Sequence, residues 1–159
     1  MQIHVTIEDG QVRAMLGKLA GRMGNLTPVM RSIGEIVRTS IERNFEAGGR
    51  PVRWPLSGRV KQFGGQTLTD KAILRRSFTV RGYPDRAEVG TNVKYAAIHQ
   101  FGGVIQAKNK PYLRFKIGGR FVSKKSVTIP ERPFMMVQDE DWPKMTQYLG
   151  KYFIDGTVG

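Results

Sequence analysis

Residues that could perform acid–base, nucleophilic or metal chemistry are scarce in this chain of 159 residues. It has two histidines, His4 and His99, and no cysteine, which excludes disulfides, thiolate catalysis and cysteine-ligated zinc. No acid lies within four residues of His99, and neither an HExxH nor a GxSxG motif occurs. A serine–histidine–acid triad would have to be assembled entirely by folding, and nothing in the spacing supports one. We therefore expect no enzymatic activity, no cofactor and no metal.

Glycine pairs and one acidic cluster are the other features that could bind a charged ligand. The pairs at 48–49, 102–103 and 118–119 do not fit the GxxxxGK[ST] phosphate loop, so we interpret them as two helix ends and a turn. The cluster at 139–141 precedes a predicted helix, whose N-terminus favours negative charge. Neither feature predicts a catalytic site.

Positive charge is the strongest signal in the composition. Twenty-six lysines and arginines against 13 aspartates and glutamates give a net charge of +13, which attracts polyanions and acidic protein surfaces. Between Lys108 and Arg132 the one acidic residue is Glu131, and three aromatic residues lie among the lysines and arginines. Such a pattern can bind nucleic acid. The candidate residues for contact with DNA in a channel, or with an acidic partner, are Arg50, Arg53, Lys108, Lys110, Arg114, Lys116, Arg120, Lys124 and Lys125.

The same strip has two other interpretations. If it forms a hairpin, Leu113, Phe115 and Ile117 point to the core while Arg114 and Lys116 form a solvated face. Alternatively, the strip faces a DNA channel without gripping the DNA. No apolar run approaches the ~20 residues that cross a bilayer, so we expect no membrane partner.

Trp54 and His99 are single residues that could carry a contact. Trp54 lies in a basic loop and is either an interface anchor or a local plug over the core; the frequency of tryptophan at interface hot spots favours the anchor. Tyr95 and His99 are four residues apart and share one face of a predicted helix. We expect Tyr95 and Ile98 to pack inward, while His99 and Gln100 bond the backbone at the helix end.

The patterns along the chain predict an α+β fold in one domain over residues 1–159. Alternation predicts a strand at 3–7, and Asp9 can cap a helix with Leu16 and Met23 among the residues of one apolar face. A second helix starts with Thr27 as its cap, carries an apolar stripe to Phe45 and ends at the glycine pair 48–49.

The rest of the chain predicts shorter elements and long loops. Residues 48–65 show no periodic pattern, although Ser57 can cap a short helix. The other predicted elements are a helix at 69–76 with Ile73 and Leu74 inward, paired strands at 78–80 and 87–89, a helix at 95–101, a hairpin of 113–117 with 121–129, and a helix at 142–153. Two N-terminal helices should then pack on a mainly antiparallel sheet of about four or five strands with short inserted helices.

Five motifs in order give the chain a resemblance to a known family. It resembles the phage virion morphogenesis family, the tail-completion proteins of contractile-tailed phages related to Mu. The motifs are Phe45 to Arg50, Trp54-Pro55-Leu56-Ser57, Leu68 to Ser77, Gly90 to Gly103 with its Tyr-Ala-x-x-His-Gln-Phe-Gly-Gly run, and Ile129 to Phe134. The chain departs from the usual pattern where Trp54 meets Pro55 directly, at Asp70-Lys71-Ala72, and at Met135-Met136.

The resemblance implies a structural protein that completes the tail or joins it to the head. It implies a homo-oligomeric ring, hexameric in the particle, around the DNA path, with other neck, connector and tail proteins as partners and non-specific contact with packaged DNA. The expected location is the host cytoplasm during assembly and the neck or tail end of the virion afterwards. The candidate subunit-interface residues are Trp54, Leu56, Tyr95, His99, Gln100, Phe101, Arg132 and Phe134. The alternative function is a basic nucleic-acid-binding protein that acts through residues 108–132.

Overall fold

The computed structural model describes residues 10–158 and has an α+β fold, as predicted. The helices are α1 (Gly10–Met23), α2 (Thr27–Ala47), α3 (Gly58–Phe63), α4 (Ala96–Phe101) and α5 (Trp142–Asp155), with a 3₁₀ turn at Asp139–Asp141. The strands are β1 (Thr79–Gly82), β2 (Ala87–Gly90), β3 (Gly103–Gln106), β4 (Leu113–Ile117), β5 (Arg120–Lys124) and β6 (Ser126–Ile129). The predicted strand at 3–7 and the capping residue Asp9 lie outside the described residues.

The long helix α2 organises the fold, and its ends follow from local chemistry. It begins at Thr27, so the prediction that Thr27 is the cap is wrong by one residue: Leu26 occupies the cap position. The side chain of Asn25 supplies the missing acceptor, because its Oδ1 accepts a hydrogen bond from the Thr27 N–H at 3.2 Å. At the other end Gly48 adopts the left-handed conformation (φ 69°) and its N–H donates to the Phe45 carbonyl at 3.2 Å.

The core forms where the apolar stripe of α2 meets residues from the middle and the end of the chain. Phe45 is fully buried, and its ring centroid lies 5.4 Å from that of Trp54 and 5.3 Å from that of Phe134. Phe78 and Phe134 pack edge to face, with their centroids 5.7 Å apart. Such aromatic pairs add to the stabilisation that burial already provides.

Two glycines let α2 pack closely on the β1–β2 ribbon. A Cβ atom on Gly82 would lie 2.8 Å from the Thr27 carbonyl oxygen and from the Arg31 nitrogen, and one on Gly34 would overlap the side chain of Val80. These backbones can therefore approach only because both positions lack a side chain. The two strands pair antiparallel, as the sequence predicts.

The strands do not form the single sheet that the sequence predicts. Among the described residues they form three antiparallel ribbons, β1 with β2, β3 with β6, and β4 with β5. The predicted strand at 121–129 is divided at Lys125: its first part turns back on β4, and its second part pairs with β3. The alternation of polar and apolar residues is a local signal and does not specify which strand pairs with which. For this reason the sequence predicts one sheet where three ribbons form.

The predicted helix at 69–76 is also wrong, because this segment contains only turns. Leu68 (φ 61°) and Ala72 (φ 54°) adopt left-handed conformations, which a right-handed helix cannot include. Leu74 is buried as predicted, whereas Ile73 is exposed.

Helix α5 forms as predicted and binds the end of α1. The Arg22 guanidinium donates to the carbonyls of Phe153 at 2.5 Å and Ile154 at 2.7 Å, which adds positive charge to the C-terminal end of α5. Leu16 and Met23, predicted to lie on the inward face of α1, are exposed. The prediction is wrong for these two residues; at this end of α1 the Arg22 side chain bonds α5.

Candidate interaction surfaces

The His-Gln-Phe-Gly-Gly motif forms α4 and the turn after it, and this turn lies against the Arg-Pro-Phe segment. Gly102 (φ 69°) ends the helix, and a Cβ atom there would lie 2.8 Å from the Glu131 nitrogen. The N–H of Arg132 donates to the His99 carbonyl at 2.7 Å. The last two of the five motifs that carry the family resemblance are therefore in direct contact.

Gln100 fixes this contact through its side chain. Its Oε1 accepts hydrogen bonds from the N–H groups of Phe134 and Met135, each at 3.0 Å. The prediction that Gln100 bonds the backbone is confirmed, but the backbone belongs to the 134–135 segment rather than to the end of α4. Gln100 therefore positions the chain that carries Phe134 into the core.

Trp54, Arg132 and Phe134, three of the candidate interface residues, lie inside the fold. Trp54 Nε1 donates to the Pro133 carbonyl at 3.1 Å, and Arg132 Nε donates to the Pro55 carbonyl at 2.9 Å. The two segments are thus joined by reciprocal bonds, while Phe134 has no exposed surface. The position of Trp54 fits the local plug over the core rather than an interface anchor.

His99 lies partly buried beside the exposed ring of Tyr95. The two rings meet edge to face at 5.9 Å, and His99 Nδ1 is buried without a hydrogen-bond partner among residues 10–158. Burial, and then the positive charge of Arg132, lower the pKa of His99 below its usual value. Tyr95 is 45% exposed, so the prediction that it packs inward is wrong. The neutral imidazole is therefore the form that this site favours.

We predict that the protein becomes less stable as the pH falls below about 6.5, the ordinary pKa of histidine. Because the pKa of His99 is lowered by folding, the unfolded chain binds a proton in a range where the folded chain does not. The loss begins at the unfolded pKa and grows until the folded pKa is reached. Urea denaturation at about pH 7.5 and about pH 5.5 measures the free energy of unfolding at each pH, and the difference gives the loss of stability.

The control for this measurement is His99→Gln, which cannot be protonated. Other titrating groups, including His4, are common to both chains, so their effects cancel in the comparison. The substituted protein should lose less stability over the same pH interval. An equal loss in both chains would contradict the predicted role of His99.

Exposed apolar side chains surround α4 on its outer side. Phe101 is 76% exposed, and Met135 next to it is also exposed. Together with Lys94, Ala97 and Gln100, these residues line an open groove of about 540 Å³. Leu56, Tyr95, Val104 and Ile105 are further exposed apolar residues from the loops and strand near the motifs. Met135 was missed by the sequence-based reasoning, where it is only a departure from the family pattern.

The β4–β5 hairpin carries most of the predicted basic residues. The hairpin turns at Gly118-Gly119, as predicted, and half-buried and exposed residues alternate along β4. Leu113, Phe115 and Ile117 are half-buried, while Arg114 and Lys116 are exposed. Lys108, Lys110, Arg120, Lys124 and Lys125 are exposed as well. The predicted hairpin is therefore confirmed, and its lysines and arginines are exposed.

Arg50 and Arg53 belong to different surroundings. Arg50 Nη1 bonds the Glu140 carboxylate at 2.5 Å, and its Nη2 donates to Ser40, so its charge is used within the fold. Glu140, predicted only to favour the start of α5, is thus an ion-pair partner. Arg53 is exposed beside a groove that Leu56 also lines. Arg50 is therefore much less available for contact with DNA than the lysines and arginines of the β4–β5 hairpin are.

The described residues contain neither a candidate metal site nor a candidate membrane span. No cluster of His, Asp and Glu in the described part of the chain could hold a metal ion. None of the helices between residues 10 and 158 is long and apolar enough to cross a membrane.

Comparison with known proteins gives the family of the chain. The model of the phage virion morphogenesis family matches residues 7–153. The chain is 34% identical to the Mu-like prophage FluMu G protein 2 of Haemophilus influenzae over 152 residues, which cover 95% of this chain and 96% of the relative. No solved structure matches the chain. With a family match over almost the whole chain and a relative of the same length, this protein belongs to the phage virion morphogenesis family.

Proposed function

We propose that this protein is a ring subunit that completes the phage tail and joins it to the DNA-filled head. Its family gives it a structural role in virion morphogenesis. The observation that carries the finer proposal is the division of the motif residues between the inside and the outside of the fold. Gln100, Arg132 and Phe134 build the core contact, whereas Tyr95 and Phe101 of the same motifs are exposed.

Exposed apolar side chains of this size favour a contact with another protein. Phe101 and Met135 form one edge of the groove beside α4, and clustered exposed apolar residues commonly mark protein–protein interfaces. The helix is held by the Gln100 and Arg132 bonds, so Phe101 is presented from a fixed support. Because α4 is already fixed, the chain loses little conformational entropy when it forms the contact.

A closed ring needs two different surfaces on each subunit, because its contacts are head to tail. The α4 surface supplies one of them. A second set of exposed apolar residues lies on other elements, with Leu16 and Met23 on α1 and Trp142 at the start of α5. The two sets belong to separate parts of the fold, as a heterologous contact requires.

A phage lysate that lacks this protein tests the proposal. We expect filled heads and separate tails, counted by electron microscopy, and a loss of infectious particles. Supplying the wild-type protein to the lysate should restore joining, whereas a Phe101→Glu variant with normal thermal unfolding should restore much less. Intact infectious particles formed without the protein would contradict the proposal.

The alternative function is a nucleic-acid-binding protein that acts through the basic strip at 108–132. The exposed face of the hairpin is the observation that supports it. It predicts tight binding of the free protein to DNA with a steep salt dependence. Weak binding at ~0.15 M salt, where the screening length is about 8 Å, would contradict DNA binding as the main function.

A further inference from the structure

We propose that one face of the β4–β5 hairpin contacts the phosphate backbone of duplex DNA, with Arg114 and Lys116 as the contacting groups and Phe121 as the residue that positions them. The inference concerns what the protein touches. It does not depend on whether the protein forms a ring or where in the particle it lies.

The pairing of the two strands brings these residues to the same face. Arg114 is opposite Ser123, and Lys116 is opposite Phe121. Residues directly opposite in an antiparallel pair lie on one side of the ribbon. All four side chains are exposed, whereas the other side of the hairpin carries the half-buried residues, including Phe115. The face is thus free of any contact that would bury it within the described chain.

Phe121 explains how the two cations are held. Its ring is 60% exposed, which is unusual for an aromatic residue that only fills a core. The Arg114 Cζ atom lies 4.5 Å from the ring centroid and the Lys116 Nζ atom lies 4.8 Å from it. Both distances are within the range of a cation–π interaction. Both cations are therefore held against the same exposed ring.

The same arrangement favours phosphate contact over base stacking. A base could stack on Phe121 only by displacing the cations that already cover the ring. Guanidinium and ammonium groups on an exposed ribbon can instead reach phosphate oxygens, which are present on every sequence. The expected binding is therefore independent of sequence and does not need single-stranded DNA.

Unpaired charge points to a polyanion as the partner. In the described part of the chain no carboxylate lies within 4.0 Å of Arg114 or Lys116, whereas Arg38, Arg75 and Arg86 all form ion pairs. Arg120 and Lys124 are opposite Ile117 and Leu113, so they add exposed positive charge on the other side of the hairpin. Because the chain belongs to a family of phage virion morphogenesis, the polyanion that we propose is duplex DNA.

The turn fixes the hairpin on the rest of the protein. Gly118 (φ 55°) and Gly119 (φ 84°) both have positive φ, as a two-residue hairpin turn requires. The ring of Phe63 in α3 lies where a Cβ atom on Gly118 would be. The hairpin tip therefore rests on α3, and the basic face keeps a defined direction.

The test is duplex binding by the full-length protein, measured by fluorescence anisotropy with a labelled random-sequence DNA between about 50 and 200 mM salt. The variant is the double substitution Arg114→Gln and Lys116→Gln. Its matched control is Lys144→Gln with Lys151→Gln, which removes the same charge from exposed positions on α5. Loss of two phosphate contacts should lower the slope of log K against log salt by about 2 in the hairpin variant. The control should keep the wild-type slope.

Two further variants separate charge from structure. Ser123→Glu places a negative charge on the same face without removing either cation, and it should also weaken binding. Phe121→Leu should weaken binding by about two- to fivefold, the value of an exposed cation–π contact. Thermal unfolding checks that each variant is folded.

Several outcomes would overturn the proposal. One is an unchanged slope in the folded hairpin variant, and another is an equal loss in the α5 control, which would indicate diffuse charge. A third is binding to polyglutamate but not to duplex DNA, which would identify an acidic protein as the partner. Wild-type affinity in Phe121→Leu would remove the positioning role of that ring.

Discussion

Phe134→Ala is expected to lower the free energy of unfolding by about 3–5 kcal/mol, the range for removing a large aromatic side chain from a packed core. Phe134 is fully buried, and its ring packs on those of Phe45 at 5.3 Å and Phe78 at 5.7 Å. The substitution leaves a cavity between aromatic rings. The helix and turns that carry these rings prevent them from moving in to fill it. Because small folded proteins are stable by only about 5–15 kcal/mol, a large part of the stability should be lost.

The same substitution at Phe101 is the matched control. Phe101 is 76% exposed, so Phe101→Ala should change the free energy of unfolding by no more than about 0.5 kcal/mol. Urea denaturation followed by circular dichroism measures both variants. Similar losses in the two proteins would contradict the division of the motif residues into a buried set and an exposed set.

Asn44→Ala is the second substitution with a large expected effect, a loss of about 2–4 kcal/mol. Asn44 is fully buried: its Nδ2 donates to the Phe134 carbonyl at 2.8 Å, and its Oδ1 accepts from Arg50 Nε at 2.9 Å. Gln138 Nε2 also donates to this oxygen, at 3.3 Å. Alanine would leave the Phe134 carbonyl and the Arg50 Nε–H without this partner, while the Nη atoms of Arg50 keep their bonds to Glu140 and Ser40. An unsatisfied buried group costs more than its hydrogen bond contributes.

Two further variants test whether hydrogen bonding is the cause. Asn44→Asp keeps the size and the acceptors but cannot donate to the Phe134 carbonyl when ionised, so it should also be destabilised. Arg38→Ala on the same helix breaks the ion pairs with Glu35 and Glu42, which are partly exposed and should contribute about 0–1 kcal/mol. If Asn44→Ala costs no more than Arg38→Ala, the buried network does not hold Phe134 in place.

The sequence predicts those parts of the fold that local signals determine. The apolar stripe of α2 and the glycine at position 48 give its bounds almost to the residue, and α4, α5 and the turn at 118–119 form as predicted. The predictions fail where the structure depends on a contact that is distant in the sequence, or on a conformation that the residue types do not indicate. The strand at 121–129 divides because β6 pairs with β3, far along the chain. Leu68 and Ala72 adopt positive φ although neither is a glycine, so nothing in the composition marks the end of the predicted helix there.

Among the candidate interface residues, the sequence does not predict which side chains are buried and which are exposed. Phe101 and Phe134 are the same residue type within two motifs, and no pattern indicates that one faces outward and the other fills the core. The direction of each depends on the contact between α4 and the 129–134 segment, which only the folded chain shows. Asn44 was missed altogether, although a polar residue next to Phe45 in an apolar stripe is a usable signal of a buried hydrogen bond.

The position of this chain in a finished particle tests the central claim most directly. Imaging of intact virions by electron cryomicroscopy, with the chain traced in the map, gives both its location and its copy number. We expect a closed, hexameric ring at the junction of head and tail, with the α4 surface between neighbouring subunits and the β4–β5 hairpin toward the DNA path. Density for the chain in the capsid shell or at the distal end of the tail, or contacts between subunits that exclude α4, would contradict it.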